Sequence, residues 1–360
     1  MQRLSDRYSL GDLIGKGGVG EVYQGWQTAL DRPVAIKLLR QELTRNAAAV
    51  ARFEREARTT SLLHHPNVVT VFDVGTKDDG RRFVVMELLG GESLADLLDR
   101  RERLPVDETL HIAGQIVRGM GAGQGVGLVH RDLKPDNLFV LEGMHVKVLD
   151  FGLAVLTEGE EPSEPVTQDP TEPPDVAPAD VVDAAKDIAG APPPAAPTPS
   201  GRRTPRPARL TRPGALMGTP RYMAPEQVLG WGVDHRTDLY SFGVILFEML
   251  TGRTPFEGPR PRDFMRQHLH TPPPGLGDLA PETPRPLQRI VARLLEKSPT
   301  DRFPDWSSLA EALRRLEEGQ AVRTATRGTG SRPASAPREP YRFLNPFTAA
   351  TGRIFFGRDR

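Results

Sequence analysis

The chain has 360 residues with 47 basic and 47 acidic side chains, so its zero net charge gives no bulk attraction to nucleic acid or to a membrane surface. The absence of cysteine excludes disulfides, thiolate zinc sites and cysteine nucleophiles. No apolar run approaches the roughly 20 residues that span a bilayer, and residues 1–7 lack the apolar core of a signal peptide, so we expect a cytoplasmic protein with no membrane span.

Residues 8–37 predict three β-strands with a glycine-rich turn, GKGGVGEV at 15–22, after the first strand. Glycine lets the backbone approach phosphate groups closely. Because a strand follows the turn, the pattern argues against a Rossmann dinucleotide site, and no Walker-type motif is present. Lys37 stands in the apolar run VAIK, where an unpaired ammonium would be costly. A lysine that reaches the surface is the alternative.

A helix is predicted over residues 46–63, where Glu54 and Glu56 are both candidate partners for a buried cation. Pro66 ends this helix, because the residue before a proline resists the helical conformation. The adjacent pair His64-His65 has no third ligand nearby, so we interpret it as part of a turn rather than as a metal site.

Strands at 68–74 and 82–88 come next, followed by a short helix capped by Ser93 and a longer helix that begins at Val106. The end of the longer helix has glycine at every second position from 119 to 127. Each glycine inside a helix costs about 1 kcal/mol relative to alanine. The sequence therefore predicts a weak helix end, and it offers no reason for the glycines.

The stretch HRDLKPDN at 130–137 places a carboxylate, a lysine and an amide in one short loop. The Asp132 carboxylate can accept a proton from a hydroxyl nucleophile, and Lys134 can meet the charge of a phosphoryl group. Asn137 and Asp150 carry oxygen ligands of the kind that Mg²⁺ prefers. Phosphoryl transfer needs positioning and charge neutralisation, and these groups supply both.

Residues 155–212 are rich in proline and poor in aromatic residues, and they turn from acidic to basic along the chain. Such a composition cannot bury enough apolar surface to fold, so we predict a disordered insert. The triple proline at 192–194 is either a docking site for a proline-reading domain or part of a passive spacer.

Residues 238–250 are apolar nearly all round, which is typical of a helix inside a protein, and Gly252 ends it. Further helices are expected near 263–270, 286–296 and 305–317. Residues 318–360 are predicted to be a flexible tail. Its aromatic end resembles the lead-in to a further domain, and the alternative is that the tail docks on the preceding residues.

Taken in order, these motifs resemble the eukaryotic-like serine/threonine protein kinases of bacteria. The resemblance covers residues 8–317 and is interrupted by the insert. It implies an α+β, two-lobed fold with ATP and Mg²⁺ between the lobes. Residues 8–89 would form a small lobe with a five-stranded antiparallel sheet and one helix, and residues 90–317 a larger, mostly helical lobe.

By this resemblance, Asp132 handles the substrate proton, Lys134 contacts the γ-phosphate, and Thr219 links Asp132 to the substrate-docking loop. Asn137 and Asp150 would hold Mg²⁺, and Glu56 is favoured over Glu54 as the partner of Lys37. The nucleotide-binding residues that the resemblance implies are Ile14, Gly15, Lys16, Gly17, Gly18, Val19, Gly20, Glu21, Val22, Ala35, Lys37, Glu56, Met86, Glu87, Leu89 and Phe139.

The resemblance also implies two structural contacts and one modification. Asp238 would hold the backbone of the catalytic loop, and Arg302 would pair with Glu226. Kinases that have an arginine before the catalytic aspartate are commonly activated by phosphate in the activation loop. This predicts autophosphorylation at Thr211, with Thr204 as the second candidate.

The function that follows is transfer of phosphate from ATP to serine or threonine hydroxyls of protein substrates, including the chain itself. One alternative is a catalytically inactive pseudokinase that acts as a scaffold through the proline-rich insert. A second is a small-molecule phosphotransferase of related fold. Residues 218–226 argue against it, because they resemble a peptide-docking platform.

Overall fold

The computed structural model describes residues 2–151 and 220–327, with side chains up to residue 318. The insert at 155–212, Thr219 and most of the tail lie outside the described residues. The chain divides into two units, Met1–Arg314 and Arg315–Arg360, and the lobes described below belong to the first.

The small lobe is built on an antiparallel sheet with the strand order β1-β2-β3-β4-β6-β5. The prediction of five strands was wrong by one. The additional strand, β1, forms because Leu4 N–H donates to the carbonyl of Tyr8 and folds the first residues back onto the sheet edge. The strands are β1 Gln2–Arg3, β2 Tyr8–Lys16, β3 Gly20–Gln27, β4 Arg32–Leu39, β5 Val71–Thr76 and β6 Arg82–Met86.

Successive side chains of β4 point to opposite faces of this sheet. Val34, Ile36 and Leu38 are buried in one core, which includes Leu4, Tyr8 and Phe83. Leu39 packs with α1 in a second core on the opposite face. Because side chains of a strand alternate, Lys37 shares the α1 face, where an acidic residue of that helix can meet it. Helix α1 spans Ala47–Ser61, and the Asn46 side chain caps it by accepting from Ala49 N–H.

The larger lobe is mostly helical in the part that is described. Its helices are α2 Leu94–Arg101, α3 Val106–Gly125, α4 Pro225–Val228, α5 His235–Thr251, α6 Pro261–His270, α7 Leu276–Leu279, α8 Arg285–Leu294 and α9 Trp306–Arg327. Ser93 caps α2, as predicted. Helix α9 continues beyond the expected end at 317, because the following residues include good helix formers. None of the helices in the described ranges is long and apolar enough to cross a membrane.

Helix α5 forms the centre of this lobe. All its residues from 237 to 250 are buried, which confirms the predicted interior helix. Gly252 ends it in the left-handed conformation, with φ of 76°. A small sheet that was not predicted begins its second strand directly after the loop at 130–137. Its strands are β7 Gly91–Ser93, β8 Leu138–Leu141 and β9 Val146–Val148. Its strands of three or four residues are too short to show a periodic pattern.

The glycines of α3 have a packing reason that was not visible in the sequence. A Cβ atom at Gly119 would lie 2.8 Å from the carbonyl oxygen of Asn67, and one at Gly123 would lie 2.6 Å from Cε1 of the Phe151 ring. Phe151 is fully buried in the recess that Gly123 leaves. The end of α3 is also tied by Gln124, whose Oε1 accepts from Trp306 N–H at 3.1 Å.

We predict opposite effects for alanine at two neighbouring glycines of α3. Gly123→Ala should destabilise the protein by about 1–3 kcal/mol, because the new methyl group meets Phe151. Gly121→Ala should stabilise it by up to about 1 kcal/mol, because its Cβ would lie at an ordinary 3.6 Å from Trp306 Cβ. Urea denaturation of both variants measures the difference. Equal stabilisation by the two substitutions would contradict the packing argument.

Candidate active site

A cluster of three charges, the buried Lys37 and Glu56 and the partly buried Asp150, joins the two lobes. Lys37 Nζ on β4 lies 2.7 Å from Asp150 Oδ1, in the segment after β9, and 3.4 Å from Glu56 Oε1 on α1. The predicted pairing of Lys37 with Glu56 is confirmed, and Glu54 instead pairs with Arg82 at 2.8 Å. One ammonium group therefore holds an acidic residue from each side of the cleft.

Burial and charge act in opposite directions on this cluster. Burial lowers the pKa of Lys37, but the carboxylates of Asp150 and Glu56 outweigh it and raise that pKa above its ordinary value. Burial raises the pKa of Asp150, and the Lys37 ammonium outweighs it, so that this pKa is lowered. Burial raises the pKa of Glu56 to about 7, because Lys37 offsets only part of the cost. Glu56 Oε2 is buried and has no hydrogen-bond partner among the described residues.

The catalytic loop is attached to α5 by a carboxylate. Asp238 is 1% exposed, and its two oxygens accept the N–H groups of His130 and Arg131, each at 2.7 Å. These bonds confirm the predicted contact. Arg131 has φ of 63°, a left-handed conformation that is unfavourable for a residue with a side chain. The loop therefore keeps a strained backbone immediately before Asp132 because a buried acid fixes it.

The polar groups of the loop converge on one end of the β8–β9 hairpin. Lys134 Nζ forms an ion pair with the carboxylate of Asp132. Asn137 Nδ2 donates to the carbonyl of Asp132 at 2.8 Å, and Leu149 N–H donates to the carbonyl of Asn137 at 2.8 Å. The second bond places Asn137 beside the main chain that leads into Asp150. The structure thus brings together Asp132, Lys134, Asn137 and Asp150.

The predicted nucleotide pocket lies along β3, β4 and β6. Val22 is paired with Lys37 between β3 and β4, and Ala35 is paired with Met86 between β4 and β6. In the glycine-rich turn, Gly17 N–H donates to the carbonyl of Gly20 at 2.8 Å. A Cβ atom at Gly20 would lie 2.9 Å from the carbonyl oxygen of Leu38, so this position requires glycine.

The structure restricts the predicted role of Glu87. Its N–H donates to the carbonyl of Thr70 at 3.0 Å, and its side chain accepts from Thr70 N–H and pairs with Lys147 at 2.6 Å. The main-chain N–H of Glu87 is therefore not available for the predicted contact with adenine. The contact of Lys147 was not predicted, because a lone lysine on a three-residue strand has no recognisable sequence pattern. Ile14 is 52% exposed and Phe139 is half-buried on β8.

The segment around Glu226 is bound to α5 and to the loop that precedes α9. Its carboxylate accepts two bonds from Arg302, at 2.7 and 2.9 Å, and one from Thr237 on α5 at 2.8 Å. The predicted pair of Arg302 with Glu226 is confirmed. A two-point arginine–carboxylate contact fixes orientation as well as distance.

A family model agrees with this arrangement. The model for the protein kinase domain matches residues 8–185 and 207–313, which is more than half of the chain. The chain belongs to the protein kinase domain family. The residues between the two matched parts lie within the proline-rich insert.

Curated relatives of this kinase domain come from several bacteria. The chain is 35% identical over 338 residues to the serine/threonine-protein kinase pkn3 of Myxococcus xanthus, with 91% of this chain and 52% of the relative covered. It is 34% identical to the serine/threonine-protein kinase PksC of Streptomyces coelicolor, with 86% of this chain and 48% of the relative covered. It is 32% identical to PknA of Mycobacterium tuberculosis, with 88% and 63% covered. The chain thus spans about half the length of these relatives.

Solved structures support the fold. The kinase domain of Mycobacterium tuberculosis PknI matches with a TM-score of 0.58 and 23% identity, and the match covers 86% of this chain and 96% of that domain. Together with the sheet of the small lobe and the helices of the large lobe, this identifies the two-lobed kinase fold.

The predicted magnesium ligands fit that ion. The amide nitrogen of Asn137 is committed to Asp132, which leaves its oxygen as the ligand atom, and Asp150 supplies a carboxylate. Magnesium is usually held by one or two carboxylates together with substrate phosphates and water. Within the described residues, no three His, Asp or Glu side chains form a protein-only metal site. The donor set therefore suits an ion that binds together with a nucleotide.

We expect Glu56 to make the stability of the nucleotide-free protein depend on pH. Its pKa is raised from 4.5 to about 7 on folding, so the folded chain binds the additional proton in this range. The Glu56 contribution to stability, which is the difference between wild type and Glu56→Gln, should therefore fall by on the order of 3 kcal/mol as pH rises from about 4.5 to 7 and level off above. Total stability need not follow it, because burial lowers the pKa of His268 and this group contributes with the opposite sign.

Denaturation of wild type and Glu56→Gln across this range measures the effect, because the variant lacks the titrating group. Glu54→Gln is the matched control and should keep the wild-type slope. Parallel curves for wild type and Glu56→Gln would contradict the assignment.

Proposed function

We propose that the chain is an ATP-dependent serine/threonine protein kinase. The observation that carries the proposal is the Lys37–Asp150 ion pair, because it joins the nucleotide side of the small lobe to the loop with Asp132, Lys134 and Asn137. Relatives named serine/threonine-protein kinases, at 32–35% identity over most of the chain, support the same activity. The substrates are serine and threonine hydroxyls of proteins.

The proposed reaction is a displacement at the γ-phosphorus of ATP. The substrate hydroxyl oxygen forms the new bond to phosphorus, the bond to the ADP oxygen breaks, and the hydroxyl proton moves to the Asp132 carboxylate. Lys37 binds the α- and β-phosphates, and Lys134 neutralises charge on the transferred group. Bound Mg²⁺, held by Asn137 and Asp150, would neutralise charge on the phosphates.

The remaining predicted residues have positioning roles in this proposal. The glycine-rich turn covers the phosphates, Val22 and Ala35 hold the adenine from the small lobe, and Phe139 supports it from below. Because Glu87 N–H is already bonded, the adenine edge is read by the Glu87 carbonyl and by Leu89. The role of Thr219 rests on the family resemblance, since this residue is outside the described ranges.

The pseudokinase alternative has less support. It would require loss of at least one of the groups that the reaction needs, and Lys37, Asp132, Asn137 and Asp150 are all present and connected. The proline-rich insert on which that alternative depends lies outside the described residues.

Removal of the proton acceptor should abolish most activity. We predict that Asp132→Asn lowers the turnover number for phosphorylation of a generic basic protein by roughly 10²–10⁴-fold, because the amide cannot take the proton. Asp278→Asn on α7 is the matched control and should leave turnover unchanged. Transfer of labelled phosphate from ATP measures both. Undiminished transfer by Asp132→Asn would exclude the proposed mechanism.

Autophosphorylation is the second test of the function. We predict phosphate on Thr211, with Thr204 as the next candidate, because a phosphate brings nearly two negative charges that Arg131 can bind. Mass spectrometry of the purified wild type beside Asp132→Asn checks this, and the variant should carry no phosphate at these positions. A fully active enzyme with Thr211 unmodified would remove this residue from the proposal.

A further inference from the structure

The side chain of Gln227 bridges two parts of the site that are far apart in sequence. Gln227 lies on α4, directly after Glu226. Its Oε1 accepts from Ala224 N–H at 3.0 Å, and its Nε2 donates to the carbonyl of Arg131 at 2.7 Å. The first bond is local to the start of α4, and the second reaches the catalytic loop.

The carbonyl that Gln227 holds belongs to the peptide group that joins Arg131 to Asp132. The orientation of this peptide plane sets the direction in which the backbone enters Asp132. Arg131 is in the left-handed conformation, and its N–H is held by Asp238. The N–H of Arg131 is therefore fixed by α5, and its carbonyl by α4.

The segment that carries Gln227 is fixed by hydrogen bonds of the residues around it. Glu226, its neighbour, is bound by Arg302 and Thr237. Earlier in the same segment, Tyr222 donates its hydroxyl to Glu248 on α5 at 2.6 Å, and Ser241 donates to the Tyr222 carbonyl at 2.7 Å. Because the segment that carries Gln227 is bound at several points, its carboxamide can hold the strained backbone of Arg131 in one orientation.

The geometry points to Gln227 as a positioning residue for Asp132, acting through the Arg131–Asp132 peptide. It couples the order of the segment at 220–229 to the orientation of the catalytic carboxylate. This inference rests on the proposed kinase function and adds to it a residue that contacts neither nucleotide nor the transferred group.

Gln227→Glu is the sharpest variant, because the new side chain has the same shape. Its carboxylate can still accept from Ala224 N–H, but it cannot donate to the Arg131 carbonyl and repels it. We expect the turnover number to fall by about tenfold or more, as small misplacements of catalytic groups do. The KM for ATP should change by less than about twofold, because the Lys37 cluster is untouched.

The pH profile separates positioning from a general loss of structure. At low pH the carboxyl introduced by Gln227→Glu regains a proton and can donate to the Arg131 carbonyl. The ratio of variant to wild-type turnover should therefore rise as pH is lowered. The charged groups around this position on the catalytic loop, α4 and α5 are Arg131, Asp132, Lys134, Glu226 and Asp238. They are the same in both proteins, so their effect on turnover cancels in the ratio.

Gln288→Glu on α8 is the matched control. Gln288 is also half-buried and also donates to a backbone carbonyl, that of Thr283, at 2.8 Å, but it lies outside the site. It should lose stability without loss of turnover and without a pH-dependent ratio. Turnover and melting temperature of wild type and both variants, measured with a generic basic protein as substrate, provide the test.

The outcomes are distinct. Reduced turnover that recovers at low pH, seen only in Gln227→Glu, supports the inference. Wild-type turnover in Gln227→Glu overturns it and leaves the proposed function intact, as does a loss that is independent of pH and follows the melting temperature. A wild-type protein that transfers no phosphate overturns both.

Discussion

The buried ammonium of Lys37 is the interaction on which the arrangement of the site depends. A buried charge is tolerated only when it is paired, and here two carboxylates from different lobes share it. Asp150 makes the shorter contact, and Glu56 keeps one oxygen unbonded. The two ion pairs are therefore unequal. The Lys37–Asp150 pair across the cleft is the closer one, and the Lys37–Glu56 pair is the one that protonation of Glu56 weakens.

A second support lies beneath the loop. Asp238 and Glu226 are both buried, and each is satisfied by several donors instead of a single counter-ion. Charges held in this way restrict geometry more than they add to stability. As a result, the reacting groups can be carried by a loop with an unfavourable backbone, since hydrogen bonds to the buried residues of α5 offset its cost. The small lobe contributes Lys37 and Glu56, and the large lobe contributes Asp132, Lys134, Asn137 and Asp150.

Much of this could be predicted from the sequence, because the motifs are contiguous and in a fixed order. The interior helix α5 and the pairs of Lys37 with Glu56 and Arg302 with Glu226 are confirmed. What could not be predicted depends on main-chain atoms or on distant packing. A carbonyl of Arg131 has no sequence signature, so Gln227 was missed. The glycines of α3 looked like defects, because the ring of Phe151 that fills the recess at Gly123 is distant in sequence.

Trp306 has a practical consequence for anyone who shortens this polypeptide. It is among the largest fully buried side chains of the described residues, and its ring centroid lies 5.5 Å from that of Phe242 on α5. Its main-chain N–H donates to Oε1 of Gln124. A recombinant version that stops before this tryptophan would uncover Phe242 on the central helix and should be less stable. Expression boundaries should therefore be chosen beyond α9.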